Sequence, residues 1–567
     1  MESDDGARDR RLPEDAVVGA DERPDASDER RLADFTFTRR DLRLVGLALL
    51  VGALSSGIAL ALLDLIGLFT HLAYYGNVGW TLVPPTLKHL GGWAILVPVA
   101  GGLIVGLMAR FGSERIRGHG IPEAMETILI GGSKSQPRLV VLKPISSAIS
   151  IGSGGPFGAE GPIILTGGAV GSVFAQLLNL SASERRALLV AGSCAGMAAV
   201  FGTPLAAVLF GVELLVFEWR PRSMVPIAAA VAVATTLRTV YAHHGLLKPT
   251  PLFPVDVHVG LTAGVAAEAI VVGLACGALA WVLTSAVYGA EDAFKRLPLH
   301  WTWWPALGGL AIGAGGLIDP RALGVGYGSI AEMLAGHLTL GALALLLVVK
   351  LSIWSIGLGS GTSGGVLAPQ LMIGAAAGGV LGHGLGGPPA FWAVLGMGAT
   401  LAGGMRTPFT AIVFAAELTN ADNLLLPLLI ACTTAFLVSV LVLRRSILTE
   451  KVARRGFHVM REYGVDPLEA MFVREVMQVA DLPEEVKGAV AYPDEVLRTV
   501  ANRMAATRTE VMPVVDRSDP RVAVGTVTAF DLLAARRRRL MEERHRERPL
   551  PLLPYLRQIS LSRTRVR

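Results

Sequence analysis

The chain has 567 residues, 52% of them apolar and 17% charged, with a formal net charge of +5 and 66 glycines. This composition excludes an ordinary soluble multidomain protein and fits an integral membrane protein, and so small a net charge gives no footing for nucleic-acid binding. The cysteines Cys194, Cys276 and Cys432 all lie in apolar segments without metal-ligand spacing, which argues against a disulfide framework or a zinc site.

Residues 1–34 are polar and lack the apolar core of a signal peptide, so they read as a disordered tail. From 35 to 447 the chain reads as an all-α polytopic membrane domain. Apolar runs beginning at Leu42, Gly91 and Leu338 reach or exceed the roughly 20 residues needed to cross a bilayer. Arg39, Arg40 and Arg43 flank the first run, and Arg444, Arg445, Lys451, Arg454 and Arg455 follow the last. By charge asymmetry both ends of this domain face the cytoplasm, and the protein is expected in the cell membrane with an even number of crossings.

The membrane domain says one thing twice, in halves spanning about 44–240 and 260–447. KPISSAISIGSGGPFGAEGP, from Lys143 to Pro162, returns as KLSIWSIGLGSGTSGGVLAP, from Lys350 to Pro369, with seven identities in 20 ungapped positions. Downstream, TPLAAVLFGVEL from Thr203 is echoed by TPFTAIVFAAEL from Thr407. Glycine-broken segments at matching positions mark a transporter built from structural repeats, with its site between them. If the halves hold odd numbers of crossings the repeats are inverted; even halves make them parallel, and hydropathy is compatible with both.

GSGGPFGAEGPI has too many glycines and prolines for a continuous helix, yet it lies between apolar stretches at membrane depth. Pro162 and Pro369 suit the first turn of a helix, whose free N–H groups and partial positive charge favour an anion. GHGIPEAMETIL, from Gly118, has the same character, with Glu123 in its own first turn and His119 as a pH-sensitive ligand, an anion donor or a packed histidine. Glu160 stands out because the second repeat has Leu367 in its place. A carboxylate beside helix N-termini competes with the permeant anion, and its protonation releases the site. Lys143 and Lys350 are repeat equivalents, suited to supplying positive potential or to a structural role. Glu213 and Glu417 are also duplicated, which favours shared packing or hydrogen bonding.

These motifs resemble those of the CLC chloride channels and proton/chloride antiporters. GHGIP (Gly118–Pro122) is similar to the family's GSGIP, GAEGP (Gly158–Pro162) to its GREGP, and GGVLAP (Gly364–Pro369) to its GxFxP. The resemblance implies a homodimer with one anion path per subunit, an inverted-repeat architecture, and Glu160 as the gate. It also implies an anion site formed by His119, Gly120, Ile121, Ala159, Gly161, Val366 and Leu367. His119 replaces the family's serine ligand, and Leu448 stands where its central tyrosine is expected. The inner proton-carrying glutamate is expected at Leu214, with Glu213 just before it. Chloride or a similar small anion is therefore the expected substrate, moved passively or with weak proton coupling, with a proton-coupled antiporter as the alternative. No nucleophile, metal cluster or phosphate loop suggests an enzyme, and no cofactor is expected in the membrane domain.

Beyond a linker helix at 448–470, residues 471–540 read as a strand-helix-strand-strand-helix unit, followed by a tail at 541–567. VREVMQVADL, VMPVVD and RVAVGTVT supply the strands, and RTVANRMA the first helix. Thr528 and Asp531 form an [ST]-x-x-[DE] capping pattern. This stretch resembles a single cystathionine-β-synthase (CBS) motif, a small cytoplasmic α/β domain. That resemblance implies dimerisation or regulation, with Thr528 and Asp531 as contacts for an adenine nucleotide. The run Arg536 to Arg539 suits a solvated helix face or anionic lipid.

Overall fold

The computed structural model describes residues 39–129, 131–178, 180–260, 262–456, 468, 471–479, 488–519 and 522–544. The tails expected at 1–34 and beyond 544, and most of the linker after 456, lie outside the described residues. The chain divides into a larger and a smaller unit between 461 and 462.

The first half of the larger unit holds α1 (Arg39–Thr70), α2 (Leu96–Phe111), α3 (Ile121–Leu129), α4 (Leu139–Gly152), α5 (Glu160–Leu177), α6 (Ala182–Phe201), α7 (Pro204–Phe210) and α8 (Pro221–His243). The second half holds α9 (Ala263–Lys295), α10 (Trp304–Ile318), α11 (Tyr327–Leu334), α12 (Leu340–Gly359), α13 (Leu367–Leu385), α14 (Pro389–Met405), α15 (Pro408–Thr419) and α16 (Leu425–Val442). Packing repeats along with order. α5 lies on α6 as α13 lies on α14, and α1 touches α4, α6 and α8 as α9 touches α12, α14 and α16.

The halves meet as mates of a two-fold. One sequence offset relates Gly102 to Gly309 and Pro98 to Pro305. A Cβ at Gly102 would meet the Pro305 carbonyl oxygen at 2.2 Å, and one at Gly309 would meet the Pro98 oxygen at 2.3 Å. The duplicated glutamates exchange places in the same way. Glu213 accepts from the backbone N–H groups of Phe409 (3.3 Å) and Thr410 (2.8 Å) at the start of α15, while Glu417 accepts from those of Leu205 (3.0 Å) and Ala206 (2.9 Å) at the start of α7. Contacts in which i meets j and j meets i are what two-fold symmetry produces.

Six helical stretches among the described residues are long and apolar enough to cross a bilayer, including those over the runs from Leu42, Gly91 and Leu338. Their outward faces carry exposed Leu, Val, Ile and Trp, whereas small residues line the contacts between helices. Arg40 pairs with Glu184 at 2.6 Å, Arg185 donates to the Gly132 carbonyl at 2.9 Å, and Arg455 pairs with Glu126. The helix expected from 448 begins one residue earlier, as α17 (Ile447–Arg454), because Ser446 and Thr449 form a capping box ahead of it. All three cysteines are buried thiols.

The smaller unit contains α18 (Leu497–Thr507), β1 (Val511–Val515), β2 (Ala523–Thr528) and α19 (Ala529–Arg544). The strands pair antiparallel, from Val511 opposite Thr528 to Val515 opposite Ala523. The first expected strand, VREVMQVADL, is not one among the described residues. Val473–Glu475 is a 3-10 turn held by Glu475 accepting from the Phe472 N–H at 2.9 Å, leaving isolated pairings of Phe472 with Val496 and Gln478 with Thr526. α19 continues to Arg544, past the bound of 541 expected for the tail.

Candidate anion site

Each glycine-rich break ends where a helix begins, and three of those beginnings converge. The chain leaves α4 at Gly152 and re-enters a helix at Glu160; in the second half it leaves α12 at Gly359 and re-enters at Leu367. The Gly118 N–H donates to the Thr362 carbonyl at 3.0 Å, and the Gly365 N–H donates to the Gly158 carbonyl at 2.9 Å. The loops before α3, α5 and α13 are thus laced by backbone hydrogen bonds. They pack closely enough that a Cβ on Gly161 would lie 1.9 Å from the His119 carbonyl oxygen. At Gly120 the backbone is left-handed, with φ +89°, and a Cβ there would strike the Gly161 carbonyl at 2.2 Å.

Glu160 opens α5 and is fully buried. Its Oε1 accepts from the Tyr327 hydroxyl at 3.3 Å, the carboxylate lies against the backbone N–H groups of Glu160 itself and Ala368 at the starts of α5 and α13, and Oε2 faces the Gly158 and Gly365 backbone. Glu123 does a different job: its Oε2 caps its own helix by accepting from the Gly120 N–H at 2.8 Å, and its Oε1 takes Arg455 at 3.1 Å. α3 therefore brings a terminus already satisfied in part by its own acid.

His119 is 1% exposed and its Nδ1 has no hydrogen-bond partner. Ile121, Ala159, Val366 and Leu367 are fully buried around these loops. Leu448 is buried on α17, which packs against α3 and α14. A hydroxyl reaches the neighbouring position from elsewhere, since Tyr288 on α9 donates to the Ile447 carbonyl. Leu214 is also buried, within a π turn over Gly211–Val216. Glu213, one residue before it, turns to α15 and accepts from the Thr410 hydroxyl as well as the two N–H groups.

Both duplicated lysines donate to backbone carbonyls. Lys143 Nζ donates to the Ile116 and Gly118 carbonyls at 2.8 and 3.0 Å, and Lys350 Nζ to those of Ala322 and Gly324 at 2.9 Å each. Each buried ammonium braces the loop ahead of a short helix, α3 in one half and α11 in the other. The second of these loops, GVGYGSI from Gly324, parallels GHGIPEA from Gly118 in its glycines but lacks the proline that marks the first as a helix start. It carries Tyr327, the hydroxyl that reaches Glu160.

In the smaller unit, Thr528 and Asp531 form the anticipated capping box. The Thr528 N–H and hydroxyl donate to Asp531 Oδ2 at 2.8 and 2.7 Å, and the Asp531 N–H returns to Thr528 Oγ1 at 3.1 Å. Gln478 donates to the other carboxylate oxygen at 2.8 Å. Burial pushes the Asp531 carboxyl upward, but hydrogen bonds from Thr528 and Gln478 outweigh it and hold the group below the usual range.

Residues 101–440 match the protein family described as "Voltage gated chloride channel". A "Putative chloride channel protein ClcB-like" of Ralstonia nicotianae is 29% identical over 394 residues, covering 66% of this chain and 89% of that protein. An "H(+)/Cl(-) exchange transporter ClcA" of Cronobacter sakazakii is 29% identical over 357 residues, covering 59% of this chain and 73% of its own. The fold is shared with a slow cyanobacterial Cl-/H+ antiporter solved by crystallography, at a TM-score of 0.63 and 22% identity over 74% of this chain and 99% of that one.

Proposed function

The chain belongs to the voltage gated chloride channel (CLC) family of membrane anion transport proteins, and on that premise we propose that it moves chloride or a similar small anion along a path gated by Glu160. The observation that carries this reading is the buried Glu160 carboxylate lying where the loops before α3, α5 and α13 meet. Helix N-termini attract an anion without the full charge that would trap it. The backbone around His119, Gly120, Ile121, Ala159, Gly161, Val366 and Leu367 forms the binding site, with Glu160 as its tethered competitor. Protonation of Glu160 vacates the seat.

Transport is passive or weakly coupled to protons. Leucine at 214 carries no proton, and the adjacent Glu213 is committed to the start of α15. The rival reading, a proton-coupled antiporter, draws on the relative named as an exchange transporter. Reversal potential in reconstituted vesicles under a pH gradient separates the two: a potential that follows the chloride gradient alone supports passive conduction, and a shift with the proton gradient rejects it.

The working unit in this reading is a homodimer of inverted repeats in the cell membrane, with both termini cytoplasmic and a path in each subunit. The smaller unit serves as a CBS-like dimerisation or regulatory element. Adenine nucleotide at Thr528 and Asp531 is the subordinate possibility, because those side chains already satisfy one another.

A further inference from the structure

Glu160 belongs to the first repeat, but the group that holds it comes from the second. Tyr327 is the first residue of α11, on the loop that Lys350 braces through the Ala322 and Gly324 carbonyls. Its ring is fixed edge-on by Phe253, with centroids 5.7 Å apart, and flanked by Phe201 at 6.4 Å. A phenol so confined delivers its hydroxyl to one place, Glu160 Oε1. The two-fold mates of this pair are Leu367, opposite Glu160, and Ile121, opposite Tyr327, both buried and apolar. The polar contact thus occurs on one side of the two-fold only, and the side with the carboxylate is the side with the hydroxyl.

We propose that Tyr327 is the positioning residue of the gate, its hydroxyl holding the ionised Glu160 carboxylate in the seat a permeant anion otherwise takes. This rests on the reading of Glu160 as the gate. A hydrogen bond to the charged form of a carboxyl favours that form, so losing it makes the seated carboxylate easier to protonate and expel. The other charged or titratable groups near Glu160 are Lys350 on α12, committed to two carbonyls, and His119 on the loop before α3; Arg238 on α8 lies beside Tyr327 and donates to the Ala199 and Lys248 carbonyls. Among these groups, Tyr327 makes the side-chain hydrogen bond to the carboxylate.

The test is chloride flux from liposomes as a function of pH for wild type, Tyr327→Phe, Glu160→Gln and the double variant. Tyr327→Phe keeps the ring and its packing, and equal thermal transitions confirm the fold. The pH of half-maximal flux is expected to rise by about one unit, a tenfold change in proton concentration. Flux at low pH stays at the wild-type level, and the double variant behaves as Glu160→Gln. A wild-type profile in Tyr327→Phe alongside pH-insensitive Glu160→Gln overturns the positioning role alone. So does a uniform loss of flux in Tyr327→Phe at every pH. A wild-type profile in Glu160→Gln overturns the gate itself, and the role of Tyr327 with it.

Discussion

Gly158 and Gly365, equivalent residues of the two repeats, hold one another by reciprocal backbone hydrogen bonds, 2.9 Å from the Gly365 N–H and 3.4 Å from that of Gly158. Antiparallel pairing of a residue with its own repeat mate puts the two-fold between them, directly beside the Glu160 carboxylate. The environments on the two sides of this axis are unequal, and that inequality yields distinct outcomes for the same substitution.

A Cβ at Gly158 would fall 1.6 Å from Glu160 Oε2, the free end of a side chain that can swing away. Gly158→Ala is therefore expected to expel the carboxylate, leaving flux that varies little with pH. At Gly365 the added atom would meet the Gly158 carbonyl oxygen at 2.5 Å, which is backbone and cannot yield cheaply. Gly365→Ala should lose most of its flux. Liposome chloride efflux between pH 4.5 and 7.5 distinguishes the two results.

Glu213 and Glu417 act as exchanged helix caps, so their removal should register in stability before transport. Loss of a cap typically costs about 0.5–2 kcal/mol. Glu417→Ala, which frees the Leu205 and Ala206 N–H groups, is expected to lower Tm, and Glu213→Gln should lower it less because an amide oxygen still accepts. Glu213→Gln should also leave the response of reversal potential to a pH gradient unchanged. A changed response would make Glu213 a proton carrier despite its capping role.

Outside the spanning segments, the Arg40 guanidinium hydrogen-bonded to Glu184 holds that carboxyl at about 2 against the opposing effect of burial. A depressed value in the folded state means that the stabilisation is fully present above the ordinary value of 4.5 and is lost as pH falls through about 2. Glu184→Gln should accordingly show a small Tm deficit at pH 7 that closes as the pH is lowered across this window. Thermal unfolding of both proteins at pH 7, 4 and 2.5 checks it.

Much of the site was legible because its signals are local. Glycine and proline interrupting an apolar run announce a helix break at Gly152 and a new start at Glu160 wherever the segment folds, and their recurrence at Gly359 and Leu367 announces a second. The capping box at Thr528 and Asp531 spans four residues and reads equally well from the chain alone. An ammonium at membrane depth suits either an ion path or a bracing role, so Lys143 and Lys350 stay open in the sequence; only the fold shows that each donates to two backbone carbonyls. VREVMQVADL misled because its alternation suits a strand, whereas the Glu475 carboxylate, capping Phe472, turns the backbone.

The sequence by itself determined the membrane class, the duplication, the places where helices break and the asymmetry between Glu160 and Leu367, all of which are properties of residue type and order. Tertiary structure alone decided that three of those breaks meet, that Glu213 and Glu417 serve each other's repeat, and that Tyr327 lies against Glu160. The physical reason is distance along the chain. Tyr327 and Glu160 stand 167 residues apart, in different repeats, and no periodicity or spacing rule reports which hydroxyl a two-fold will deliver to which carboxylate.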